Sequence, residues 1–101
     1  MILYNVTVAI NKKIETEWQK WMREIHMPDV LKTGYFNNSK IFKIVLPLRS
    51  DDEVSYVIQY ECESLEQYIA YSENNATKLQ QEHTEKFNGM FTSSRTVLEE
   101  I

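Results

Sequence analysis

Apolar and other residues alternate from the second position onward. Ile2, Tyr4, Val6, Val8 and Ile10 interleave with Leu3, Asn5, Thr7 and Ala9. Period two with β-branched and aromatic residues predicts a strand with one strongly apolar face. The period then changes. Ile14, Trp18, Trp21, Met22 and Ile25 recur at helical spacing behind Asn11, a suitable N-cap, and Glu15 and Glu17 sit where carboxylates favour the helix dipole. Pro28 biases Met27 away from helical backbone and suits the first turn of a short second helix over residues 28–33, which Gly34 can end. A kink or break is therefore expected at 24–28. The next strand lies within 35–48, centred on 41–46, and its nearly continuous apolar run predicts burial on both faces. A short polar turn at 49–53 leads to Val54, Tyr56, Ile58, Tyr60 and Cys62 alternating with Ser55, Val57, Gln59 and Glu61, so these two strands read as a hairpin. Ser64 and Gln67 form a capping box. Leu65, Tyr68, Ile69, Ala76, Leu79, His83 and Phe87 then follow one helical face, with a fray or kink expected at Asn74 and Asn75. Asn88 and Gly89 stop that helix, and residues 90–98 close the chain as a less regular strand.

Strand, helix, strand, strand, helix, strand is the split-βαβ order of the α+β ferredoxin-like fold. Right-handed crossovers put both helices on one face of a four-stranded antiparallel sheet. The apolar parity, with Tyr4, Val6, Val8, Tyr56, Ile58 and Tyr60, packs under them. The other face carries Leu3, Asn5, Thr7, Ala9, Val57, Gln59 and Glu61 and has nothing to cover it. Two copies packed sheet to sheet would cover it, so a homodimer with a barrel-like space between the sheets is expected.

Composition narrows the function classes. A chain of 101 residues is one domain, 1–101, and 43% hydrophobic with 2 Gly and 2 Pro excludes disorder and linker-rich designs. The net charge is −4, with 11 Lys and Arg scattered among 15 Asp and Glu, which argues against nucleic acid and against anionic membrane surfaces. The strands also lack the basic and aromatic pattern on which RNA-binding modules stack bases. No apolar run approaches the roughly 20 residues of a membrane helix. A lone cysteine, Cys62, cannot form an intramolecular disulfide; with no leader pattern at the N-terminus, a cytoplasmic location is expected.

Candidate chemistry rests on few residues. Histidine suits proton transfer near neutral pH, and His26 and His83, with Asn5, are the catalytic candidates. The plainer reading makes His26 a helix-terminal residue whose pKa is kept or raised by the dipole, and His83 a core histidine with a depressed pKa. Asp29 could orient His26 but fits the first turn of the short helix equally well. Asn5, Thr7, Gln59, Glu61 and Arg95 are the ligand-binding candidates, a polar parity that could line a barrel cavity; Arg95 could pair with Glu61 or with a ligand carboxylate. Metal-ligand spacings are absent, and no cofactor motif appears. Trp18, Trp21, Tyr35 and Phe36 read as core, as does Cys62.

The stretches 17–22 (EWQKWM), 26–28 (HMP), 33–36 (TGYF), 87–89 (FNG) and 95–99 (RTVLE) together resemble a small bacterial family of about one hundred residues, a domain of unknown function, which in turn resembles the dimeric α/β-barrel superfamily. That resemblance implies a ferredoxin-like homodimer. It implies either a non-catalytic protein that binds a small molecule in the barrel between sheets, or a cofactor-independent enzyme of monooxygenase, isomerase or dehydratase type acting on a small, partly aromatic substrate. Both histidines on one cavity would favour the enzyme; histidines satisfied by backbone would favour the binder.

Overall fold

In the computed structural model, which describes residues 1–101, the alternating segments become β1 (Ile2–Asn11), β2 (Asn38–Lys43), β3 (Glu53–Cys62) and β4 (Phe91–Glu99). They form one antiparallel sheet in the order β2-β3-β1-β4. Two helical rods connect it, residues 12–32 between β1 and β2 and residues 65–86 between β3 and β4. This is the ferredoxin-like α+β arrangement. Residues directly opposite one another share a face of the sheet. Tyr4 stands opposite Tyr60 and Val97, Val6 opposite Ile58 and Arg95, and Val8 opposite Tyr56 and Ser93; this is the face beneath the rods. Asn5 stands opposite Gln59 and Thr96, and Thr7 opposite Val57 and Ser94, on the open face. Strict alternation of buried and half-buried residues along β3 follows from that division.

Both rods are irregular where the sequence suggests it, but neither breaks. The first runs through α1 (Glu15–Trp21), a five-residue π turn (Met22–His26) and α2 (Met27–Lys32). Met27 is helical, and its N–H bonds to the carbonyl of Met22, one residue further back than in an α-helix. Pro28 has no N–H to give and its ring crowds the carbonyl four residues earlier; the π turn widens the backbone there, so the rod continues past the proline. The second rod repeats the device, with α3 (Leu65–Tyr71), a π turn (Ser72–Ala76) around Asn74 and Asn75, and α4 (Thr77–Lys86). In both rods seven α-helical residues precede the five of the π turn. Each π turn adds a residue and rotates the apolar stripe. Ile25, within the first π turn, is exposed, and Met27, Val30, Ala76 and Leu79 are buried; where the turns begin, Met22 and Tyr71 are buried, whereas Leu65 and Ile69, ahead of the second turn and placed on the buried face by regular spacing, are exposed.

Caps form as the sequence indicates. Asn11 Oδ1 accepts from the Lys13 N–H, Ser64 Oγ accepts from the Gln67 N–H, and Gly34 ends the first rod at φ +86°. In the Ser64 capping box, Gln67 Oε1 accepts from the Glu63 N–H rather than from that of the cap residue.

The second strand differs most from expectation. It spans six residues at the sheet edge, and its last ladder bond is Ile44 N–H to Ser55 O at 2.8 Å. Beyond it the chain leaves the sheet, because Pro47 cannot donate to a ladder. Val45, Leu46 and Leu48 are 72%, 79% and 72% exposed. The apolar run is thus an outlying connection, not a strand buried on both faces, and the turn into β3 is correspondingly longer. No helix is long and apolar enough to cross a membrane.

Candidate functional site

Beneath the rods, a cavity of about 30 Å³ opens between the sheet and the helices, enough for one or two waters. Its floor comes from Tyr4, Val6 and Val8 of β1, Tyr60 of β3, and Ser93 and Arg95 of β4; Met22, His26 and Val30 of the first rod and Tyr71, Gln80 and His83 of the second form its roof. The π turns are what deliver the roof, since His26 closes the first and Tyr71 immediately precedes the second.

His83 is buried, and its Nε2 accepts a 2.9 Å hydrogen bond from the indole N–H of Trp18. An indole nitrogen only donates, so His83 Nε2 carries the lone pair and the ring proton sits on Nδ1. His26 stacks on Trp21 with ring centroids 5.3 Å apart, and its Nδ1 is buried with no partner. The two imidazoles lie 6.0 Å apart, centroid to centroid. Burial, and then the charge of Arg95, lower the His26 pKa to about 4. Burial, then His26 and Arg95, lower that of His83 to about 4. Both rings are therefore neutral at pH 7. The depressed His83 agrees with the sequence reading; the kept or raised pKa expected for His26 does not. That expectation assumed a helix C-terminus, but the rod continues six residues beyond His26.

Arg95 is exposed at the cavity edge and donates from Nε to the Tyr4 hydroxyl at 3.2 Å. It lies on the rod side, across the sheet from Glu61, so of the two partners the sequence allows, Glu61 is out of reach. Tyr60 is 2% exposed, its hydroxyl is shielded and without a partner, and burial pushes its pKa far above the ordinary phenol value. Cys62 is fully buried, which raises its thiol pKa, and it packs as a core residue.

The sequence candidates thus divide between two faces. His26, His83 and Arg95 meet at the cavity. Asn5, Thr7, Gln59 and Glu61 lie on the open face, where Asn5 Oδ1 is shielded but unpartnered. There Arg49, from the β2–β3 connection, shares a shallow concavity with Thr7, Ala9 and Ser94. Asn5 therefore cannot act with the histidines within one chain. Asp29 lies instead in a surface concavity with Lys32 and Asn74. No group of three or more His, Cys, Asp or Glu side chains is placed to hold a metal ion. Sequence reasoning missed Tyr60, Tyr4 and Gln80 as cavity residues. Tyrosines on an apolar strand face look like core, but a buried hydroxyl needs a partner, and that need was the available signal.

Residues 1–101 match the family model described as Domain of unknown function (DUF4286). No curated protein sequence matches the chain. Among solved structures, the chain is similar to an ethyl tert-butyl ether d (ethd) family protein from Bacillus halodurans C-125, at 16% identity, 100% of both chains and TM-score 0.66. It is similar to a dimeric ferredoxin-like protein from an uncultured marine organism, at 12% identity, 100% of this chain, 95% of that one and TM-score 0.67. It is also similar to SnoaB, a cofactor-independent oxygenase from Streptomyces nogalater, at 10% identity, 99% and 93% coverage and TM-score 0.67. At these identities the likeness establishes the fold.

Proposed function

We propose, for a chain that belongs to the DUF4286 family of domains of unknown function, a homodimer that binds a small organic molecule in the cavity beneath the helical rods of each protomer. One observation carries the binding: His26 Nδ1 and Tyr60 Oη are both buried, both unpartnered, and both belong to side chains lining that cavity. Nearly all buried polar groups in folded proteins are paired. Two orphans around one void mark a place where water or a ligand completes the bonding. The site moves accordingly, from between two sheets to beneath the helices.

The dimer rests on the open face. Leu3, Phe42, Val57 and Leu98 lie on it beside the polar row of Asn5, Gln59 and Thr96, and no helix covers them. A two-fold, sheet-to-sheet contact covers this face with a second copy of itself, and a similar ferredoxin-like protein is dimeric by its own description.

Catalysis is the second reading, favoured by the meeting of both histidines at one cavity and by the likeness to a cofactor-independent oxygenase. An imidazole with a pKa of about 4 is a weak base at pH 7, well below the range in which general-base catalysis is efficient. Binding is therefore the stronger reading. Equilibrium sedimentation at micromolar concentration should report about twice the 12.0 kDa chain mass; a stable monomer contradicts the dimer. A panel of small organic fragments, followed by NMR of the His26 and His83 ring signals, should yield compounds that move both rings saturably. A panel that leaves both unmoved contradicts the cavity as a binding site.

A further inference from the structure

We infer that the cavity is a carboxylate site: it takes the head of a small organic acid, with Arg95 at its edge and the Tyr60 hydroxyl and His83 Nδ1–H within. This rests on the small-molecule reading above and adds the ligand's chemical class. Arg95 uses one of its guanidinium N–H groups on Tyr4 and has the others free. Tyr60 has an O–H with no acceptor. Trp18 holds His83 in the tautomer whose Nδ1 bears the proton. His26 Nδ1 has no protein bond to fix its state and can supply a further N–H. The lining contains no Asp or Glu, although the chain has 15 of them and a net charge of −4. A cation would meet Arg95 with no counter-charge, and a neutral head could accept from Arg95 but would forgo the ion pair and the two-oxygen geometry that a carboxylate offers.

Size adds a second constraint. About 30 Å³ holds two water-sized groups, which matches two carboxylate oxygens but not a whole drug-sized ligand. The remainder of the acid must leave along β4 past Ser93 and Arg95, which are both exposed.

The test compares two probes of nearly equal shape, benzoate and benzamide, titrated into the full chain at pH 7 and read from the His26 and His83 ring signals. Benzoate should move both rings saturably, and benzamide should bind at least roughly tenfold more weakly, since a hydrogen bond to a charged group is the stronger one. Arg95→Gln should weaken benzoate by roughly tenfold to a hundredfold, weaken benzamide by a clearly smaller factor, and be partly rescued by Arg95→Lys, which restores the charge without the planar fork. Arg95 is exposed on an edge strand, so these variants should fold; amide spectra confirm it. Benzamide binding as tightly as benzoate, or benzoate affinity indifferent to Arg95→Gln, overturns the carboxylate assignment and leaves small-molecule binding intact. Rings silent to benzoate also overturn it, while the fragment panel separately judges the broader reading.

Discussion

Replacing Trp18 by alanine removes about 3–5 kcal/mol of folding stability. Trp18 is fully buried, lies 4.9 Å from the Tyr56 ring, centroid to centroid, and donates to His83 Nε2. Two losses combine. Truncating the indole leaves a large void between the first rod and β3, and it strips a buried acceptor of its donor, which by itself costs about 1–3 kcal/mol. The terms are not fully additive, because water admitted to the void can bond to the imidazole. Against a total of about 5–15 kcal/mol for a small domain, the variant would be marginally folded. Trp18→Phe separates the contributions, since it keeps most of the packing and loses the N–H. Urea denaturation measures both, and a loss below about 1 kcal/mol for Trp18→Ala would contradict the buried position.

Stability should fall steeply in mild acid. Both histidines have folded pKa values of about 4, against an unfolded value near 6.5. The unfolded chain therefore takes up protons first as pH drops. The contribution is complete above the unfolded pKa and is lost between about pH 6.5 and 4, at about 1.4 kcal/mol per pH unit for each histidine. By the lower end the pair accounts for a loss of several kcal/mol, on the order of half the stability of a typical small domain. Glu15 adds to the loss at lower pH, because bonds from Tyr56 and Lys43 hold its carboxyl below the usual range. Urea midpoints measured from pH 7.5 to 4 should show this slope, and His26→Gln with His83→Gln should remove most of it. A wild-type profile flat from pH 6.5 to 4.5 contradicts the buried, neutral pair.

The fold was legible because its signals are periodic and local. Alternation along β1 and β3, the Asn11 and Ser64 caps, and Gly34 and Gly89 with positive φ each determine a piece of backbone, and their order determines the topology. The π turns were not legible. A proline at 28 announces trouble in a helix, but whether the backbone breaks or widens depends on packing against the sheet, and a one-residue widening shifts every later apolar position off the regular period. Ile25 and His26 lie within the first such turn and fall off the regular period for that reason; Leu65 and Ile69 precede the second turn, and their exposure follows from the side of α3 that faces the sheet. The 41–46 run failed differently: its composition suits a buried strand, yet Pro47 and the edge position of β2 take its second half out of the sheet. At the candidate site, His26 and His83 were identifiable by residue type, but their meeting is a tertiary event between two rods. Arg95 was found without its face, because parity in an irregular last strand depends on register with β1.

The most direct measurement is of the histidine rings themselves, by ¹H–¹⁵N NMR from pH 8 to 4. The cavity described here predicts two neutral rings at pH 6, His83 with its proton on Nδ1, and both titrating near pH 4. Either ring titrating at or above the ordinary value of about 6.5, or His83 protonated on Nε2, would contradict it.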